Sequence, residues 1–200
     1  MKLFFINSDT FLKNADSGFL EEYLEGREFK CEKRRIEFAL GRFLLKYVLK
    51  TQYGIKTPQI VLKNKKPSLE NDEIQFSLSH TKNIVLAAFD EMPVGVDIEV
   101  MKERDFDMIY RFWKKTPESV DKTEFYKEWT QYEAKIKLQQ ESSANFNAEM
   151  FENFMLGICS ANCEPIEQRL EIFELNPPQN APSVNKYPLS SLKNPQVCSF

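Results

Sequence analysis

One run of eight residues, Pro93-Val94-Gly95-Val96-Asp97-Ile98-Glu99-Val100, limits what this chain can become. In an extended strand alternate side chains share a face, so Val96, Ile98 and Val100 turn one way and Asp97 and Glu99 the other. The apolar side requires a core. The acidic side sets two like charges next to each other, and they repel unless a cation lies between them. A hard divalent ion held by oxygen ligands is the simplest such partner. A half-exposed strand with both acids in water satisfies the same pattern.

The rest of the chain provides ample material for that core. Its 200 residues suffice for one large domain or two small ones, and 42% hydrophobic with 28% charged residues is an ordinary globular balance. A net charge of -3 argues against a generally basic nucleic-acid binder. No apolar run nears the roughly 20 residues that span a bilayer. Met1 to Ile6 turns polar too soon for a secretory signal and reads as a first strand, which places the protein in the cytoplasm. Cys31, Cys159, Cys163 and Cys198 match no zinc spacing and read as reduced thiols.

Taken in order, Asp16 to Tyr23 suggests a short helix. Glu32 to Tyr53 suggests a long one, with Ile36, Leu40, Phe43, Leu44, Tyr47 and Val48 at helical spacing and Gly54 as its stop. A short strand at Ile60 to Leu62 leads into the basic loop 63–67. Ile74 to His80, Ile84 to Phe89 and the acidic strand then read as three successive strands, an antiparallel meander on the long helix. A helix is predicted at Phe106 to Trp113. Thr116-Pro117-Glu118 reads as an N-cap before the next helix, Thr123 to Gln139. The polar stretch Gln140 to Glu149 reads as a loop, with strands at Phe154 to Ser160 and Leu170 to Leu175. Beyond Asn176, Pro177, Pro178, Pro182, Pro188 and Pro195 predict an irregular tail.

On the second long helix Trp129, Glu133 and Lys137 share a face. A Glu followed four residues later by Lys is also the ordinary surface pair, although Trp129 suggests a covered face. Should Glu133 meet Asp97 and Glu99, three carboxylates converge with a lysine one turn away, a magnesium site suited to phosphate chemistry. Ser79 and His80 at a strand end, with Lys65 and Lys66 in the loop before, form a second group able to hold a phosphate ester. A turn histidine with no further role fits that pattern as well.

The ordered set of these features resembles the 4'-phosphopantetheinyl transferases of the Sfp type. Gly95-Val96-Asp97-Ile98-Glu99 and Trp129-Thr130-Gln131-Tyr132-Glu133-Ala134-Lys135-Ile136-Lys137 look like that family's paired signature. Lys66-Pro67, Ser79-His80, Ala87-Ala88-Phe89-Asp90 and the run from Arg111 to Glu118 stand in matching order, so the likeness covers about Arg34 to Lys137. It implies an α+β fold of two similar halves related by a pseudo-twofold, each a small antiparallel sheet packed on a long helix. The halves would be 1–100 and 101–200, the second ending in the Pro-rich tail, with coenzyme A in the cleft between them.

The resemblance further implies transfer of 4'-phosphopantetheine from coenzyme A to a serine of an apo acyl or peptidyl carrier protein by a monomeric enzyme. Asp97, Glu99 and Glu133 would hold Mg²⁺, with Mn²⁺ the alternative ion. Glu133, Lys137 and Asp97 would carry the chemistry. Lys137 would contact phosphate, while His80, Ser79 and Lys66, joined by Arg34 or Arg35, would grip the nucleotide end. Phe106, Met108, Ile109, Phe112 and Trp113, rimmed by Arg111, Lys114 and Lys115, would meet the carrier. The chain departs from the family at Tyr132, where a lysine is usual, and in a short stretch between Lys137 and Phe154. A non-catalytic relative that binds coenzyme A or a carrier is the alternative.

Overall fold

A computed structural model describes residues 1–16, 18–71, 73–114, 120–177 and 182–197. The elements run β1 (Lys2–Asn7), α1 (Ser8–Lys13), α2 (Phe19–Tyr23), α3 (Glu32–Gln52), β2 (Ile60–Lys63), β3 (Lys66–Leu69), β4 (Gln75–Thr81), β5 (Ile84–Asp90) and β6 (Val94–Val100). Then come α4 (Phe106–Lys114), α5 (Lys122–Leu138), β7 (Ala144–Met150), β8 (Phe154–Ser160), α6 (Ile166–Arg169), β9 (Glu171–Asn176), β10 (Ser183–Tyr187) and β11 (Lys193–Val197). Two sheets, ordered β10-β9-β1-β5-β4 and β11-β7-β8-β6, form the frame.

The period-two patterning decides how the sheets stack. Leu3, Phe5, Leu86 and Ala88 on one sheet bury against Val96, Ile98, Ala148, Leu156 and Ile158 on the other. The opposite face of the first sheet, Phe4, Ile6, Val85 and Phe89, packs on Leu40, Phe43, Leu44 and Val48 of α3. The outer face of the second sheet carries α5. The result is a helix, two sheets and a helix in layers, an α+β arrangement with one long helix per sheet, as expected.

Several local expectations change. The acidic strand does not continue a meander: β4 and β5 pair as a hairpin, and β6 crosses to the second sheet beside β8. Strands therefore pass between the halves divided at residue 100, since β9 and β10 complete the first sheet. One pairing there is parallel, β1 with β9. The polar stretch before Met150 is strand β7 rather than loop, because Phe146, Ala148 and Met150 turn into the core while Asn145 and Asn147 are buried under α5 through hydrogen bonds. The second sheet is thus less trimmed than the short connection suggests. The proline-rich tail is not merely irregular, for β10 and β11 each extend a sheet edge, where proline is tolerated. The basic loop is the turn of a β2–β3 hairpin, with Asn64 and Lys65 at φ 49° and 68°. The N-cap expected at Thr116 lies outside the described residues. The one observed for α5 is Asp121, whose side chain accepts from the Glu124 amide.

Candidate functional site

The two sheets meet along one edge, and they meet through side chains. There β4 and β6 lie side by side, and hydroxyls of β4 accept from amides of β6: Val96 N to Ser77 Oγ at 3.1 Å, Ile98 N to Ser79 Oγ at 3.3 Å, and Val100 N to Thr81 Oγ1 at 3.4 Å. Alternation in both strands makes this ladder, since every second residue of β4 reaches the seam.

Asp97 and Glu99 sit on this seam beneath α5. The Ser79 hydroxyl donates to Asp97 Oδ1 at 2.7 Å, and the Thr81 hydroxyl donates to Glu99 Oε2 at 3.3 Å. From α5, Lys137 Nζ reaches Asp97 Oδ1 at 2.6 Å and Ser79 Oγ at 3.1 Å. Two glycines permit this reach. A Cβ on Gly95 would come 1.9 Å from the Ala134 carbonyl oxygen, and one on Gly157 would come 2.7 Å from the Thr130 carbonyl carbon. The helix backbone therefore rests directly on the sheet.

The electrostatics of the pair fit a cation. Asp97 is buried, and its Oδ2 has no hydrogen-bond partner. Burial, and then the charge of Asp97, pushes the Glu99 carboxyl above the usual range, although Thr81, Arg104 and Lys137 oppose the shift. A buried acid with a bare oxygen beside a second acid is the donor set a hard divalent ion takes. Glu133 stands one turn from Lys137 on the same helix flank, but it does not complete a three-acid group. Among the described residues no three His, Cys, Asp or Glu side chains gather closely enough to hold a metal ion. The positive charge at Asp97 is that of Lys137.

The predicted phosphate-holding residues divide between two adjoining clefts. The first, about 310 Å³, lies between α3 and β4 and is lined by Arg27, Arg34, Arg42 and His80 along with Phe29 and Phe38. Arg35 is elsewhere, ion-paired with Glu21 and Glu32. His80 Nδ1 is 3.4 Å from Glu37 Oε1. Partial desolvation nonetheless lowers the His80 pKa, helped by the nearby charges of Lys137, Lys33 and Arg34. Arg42 is buried; its Nε lies 3.3 Å from Glu25 without forming a hydrogen bond, and Nη1 also has no partner.

The second cleft, about 330 Å³, contains Lys65, Lys66 and Lys137, and Pro67 and Leu78 line both clefts. Lys66 is therefore beside Lys137 rather than beside His80. Its Nζ donates to the Val94 carbonyl at 2.9 Å, and burial lowers its pKa to about 8. Gln139, at the left-handed C-cap of α5, donates to the Asn64 carbonyl at 2.9 Å and fixes the β2–β3 hairpin over this cleft. The groove as a whole suits a long polyanion.

Sequence reasoning missed Thr81, Arg27 and Arg42. The alternation Ser77-x-Ser79-x-Thr81 was the available sign of the first; nothing local marks the other two.

Comparison with known proteins points the same way. No family model matches the chain. Curated relatives do, and they share one name. The chain resembles the Sfp-type 4'-phosphopantetheinyl transferases. It is 33% identical to 4'-phosphopantetheinyl transferase Sfp of Bacillus subtilis (strain 168) over 110 residues, covering 49% of each chain. It is 31% identical to psf-1 of Bacillus pumilus over 111 residues, 50% of this chain and 48% of that one. With ffp of Bacillus subtilis it shares 29% over 157 residues, 68% of this chain and 69% of that one. The matched region spans about half the length of the first two relatives and about two thirds of the third.

Among the described residues no disulfide joins Cys31, Cys159 and Cys163, while Cys198 lies outside them. Among the described residues no helix is long and apolar enough to cross a membrane.

Proposed function

We propose that this chain transfers the 4'-phosphopantetheine arm of coenzyme A to a serine of an apo acyl or peptidyl carrier protein, acting as a cytoplasmic monomer. The observation that carries the reading is Lys137 paired with Asp97 at the seam, beside Glu99, between two cationic clefts. Coenzyme A carries a pyrophosphate and a separate 3'-phosphate. Arg27, Arg34, Arg42 and His80 suit the nucleotide end; Lys65, Lys66 and Lys137 suit the phosphates beyond.

Asp97 and Glu99 would hold Mg²⁺ or Mn²⁺, with Glu133 as the third ligand. Bound there, the ion would neutralise charge on the pyrophosphate. Glu133 accepts the proton of the carrier serine. The serine oxygen bonds to the pantetheine-side phosphorus as the bond to the leaving 3',5'-adenosine bisphosphate breaks. Lys137 turns from Asp97 to a phosphate oxygen.

The carrier meets α4. Of the five apolar residues expected there, Phe112 at 88% and Met108 at 64% exposure are available, with Arg111 and Lys114 alongside. Phe106, Ile109 and Trp113 pack instead on the cluster of Tyr110, Phe125 and Tyr126. An acidic, helical carrier suits an apolar pair with a basic rim. Lys115 lies outside the described residues.

The test is to mix the protein with an apo carrier domain, coenzyme A and Mg²⁺ and to weigh the carrier. Gain of one phosphopantetheine, abolished by EDTA and by Asp97→Ala, is the expected result. The incomplete three-acid group favours one second reading, a binder of coenzyme A without transfer. That reading predicts binding with no change in carrier mass.

A further inference from the structure

The hydroxyl ladder of the seam contains three similar contacts, but only two of them touch an acid. Ser77 accepts from Val96 N, and its hydroxyl has no acid in reach among the hydrogen bonds of the described residues. Ser79 accepts from Ile98 N and gives its single proton to Asp97 Oδ1. Thr81 accepts from Val100 N and gives its proton to Glu99 Oε2. A hydroxyl has one proton, so an amide that occupies its lone pair also fixes where that proton points.

Both carboxylates are thus held by one oxygen on the β4 side. The other oxygen of Asp97, Oδ2, is buried and unpartnered. Thr81 itself is buried, and its β-branched side chain has little rotamer freedom, so its hydroxyl direction is set by the fold.

We propose that Thr81 is a positioning residue: anchored by the Val100 amide, it holds Glu99 by one oxygen so that the other is presented to the cation bound with Asp97. Oriented outer partners of this kind commonly set metal affinity about ten- to hundredfold. The inference rests on the reading of Asp97 and Glu99 as cation ligands. It adds a residue outside the ligand set.

The experiment measures Mn²⁺ affinity without coenzyme A, from the electron paramagnetic resonance signal of the free ion. Thr81→Val, close to isosteric but lacking the hydroxyl, is expected to weaken Mn²⁺ binding about ten- to hundredfold. Thr81→Ser restores it. Ser77→Ala, which removes a seam contact that touches no acid, leaves it unchanged. In a Glu99→Gln background Thr81→Val adds no further loss, because the group it orients has been altered. Thr81→Ala carries the same expectation should Thr81→Val not fold by circular dichroism.

Wild-type affinity in folded Thr81→Val, with Glu99→Gln weakened, overturns the role of Thr81 and leaves the cation site standing. Equal losses in Ser77→Ala and Thr81→Val overturn it too, since any break in the seam would then suffice. Wild-type protein that binds no Mn²⁺, indistinguishable from Glu99→Gln, overturns the cation reading and this proposal with it.

Discussion

Helices α3 and α5 each cover one sheet, and they do so in opposite ways. Between α3 and its sheet lies a thick layer of large side chains, Leu40, Phe43, Leu44, Val48 and Leu49, all buried. Beyond the first turns of α5, where Phe125 and Tyr126 pack with Met155, the layer thins to almost nothing: Thr130, Ala134 and Leu138 rest over Gly95 and Gly157. The first contact is built for burial, at roughly 25 cal/mol per Å² of apolar surface. The second sacrifices that burial to bring a helix backbone down onto a strand. Only at such close range does Lys137 reach Asp97, and Glu133 shares its flank.

The glycines under α5 carry the largest expected effect. Gly95→Ala forces a Cβ into the Ala134 carbonyl, so α5 must lift. We expect a loss of about 3 kcal/mol in urea unfolding, accompanied by weaker cation binding as Glu133 moves off. Wild-type stability in that variant would mean that the helix is not pressed on the sheet.

A second prediction concerns Lys66, at the edge of the same tight contact. Its folded pKa of about 8 lies below the ordinary 10.5, so the unfolded chain holds the proton more firmly. The Lys66 contribution is then lowest below pH 8 and grows from there as the folded amine deprotonates. Above about pH 10 the trend reverses, because burial raises Tyr23 and Tyr53 to about 12 and the unfolded chain loses those protons first. Between pH 7.5 and 9.5 a gain of about 1.5 kcal/mol is expected, and Lys66→Met should flatten it. A stability that falls over that interval, or a gain that survives in Lys66→Met, would place the effect elsewhere.

The smallest effect is on the other helix. Gly41 lies inside α3, where a Cβ would meet only Leu78 methyls at 3.9 Å. Gly41→Ala should stabilise by about 0.5–1 kcal/mol through helix propensity. The same substitution thus has opposite signs under the two helices. Destabilisation in both would erase the distinction.

Much of this was legible in the chain. The 3.6-residue stripe of α3 and the alternation of β6 specify a helix, a buried strand and an acidic face. The resemblance of the two signature runs implies Lys137 as a phosphate contact; its ion pair with Asp97 comes from the structure alone. What could not be read was where strands go. β6 has the same local pattern whether it continues a meander or crosses to another sheet, and only the core it buries decides. β7 was missed because Asn145 and Asn147 mimic loop composition, and burial with hydrogen bonds to α5 overrides that propensity. Arg27 and Arg42 enter the first cleft through packing of α3 on the loop before it, which has no period.

On the proposed reading, the acids of β6 and Lys137 of α5 together make a cation-dependent site for the phosphates of coenzyme A. Calorimetric titration of coenzyme A with and without Mg²⁺ measures that dependence. Binding at least about tenfold tighter with Mg²⁺, a gain of about 1.4 kcal/mol that Asp97→Asn removes, is the predicted result. Equal affinity with and without the ion, in wild type and Asp97→Asn alike, would contradict it.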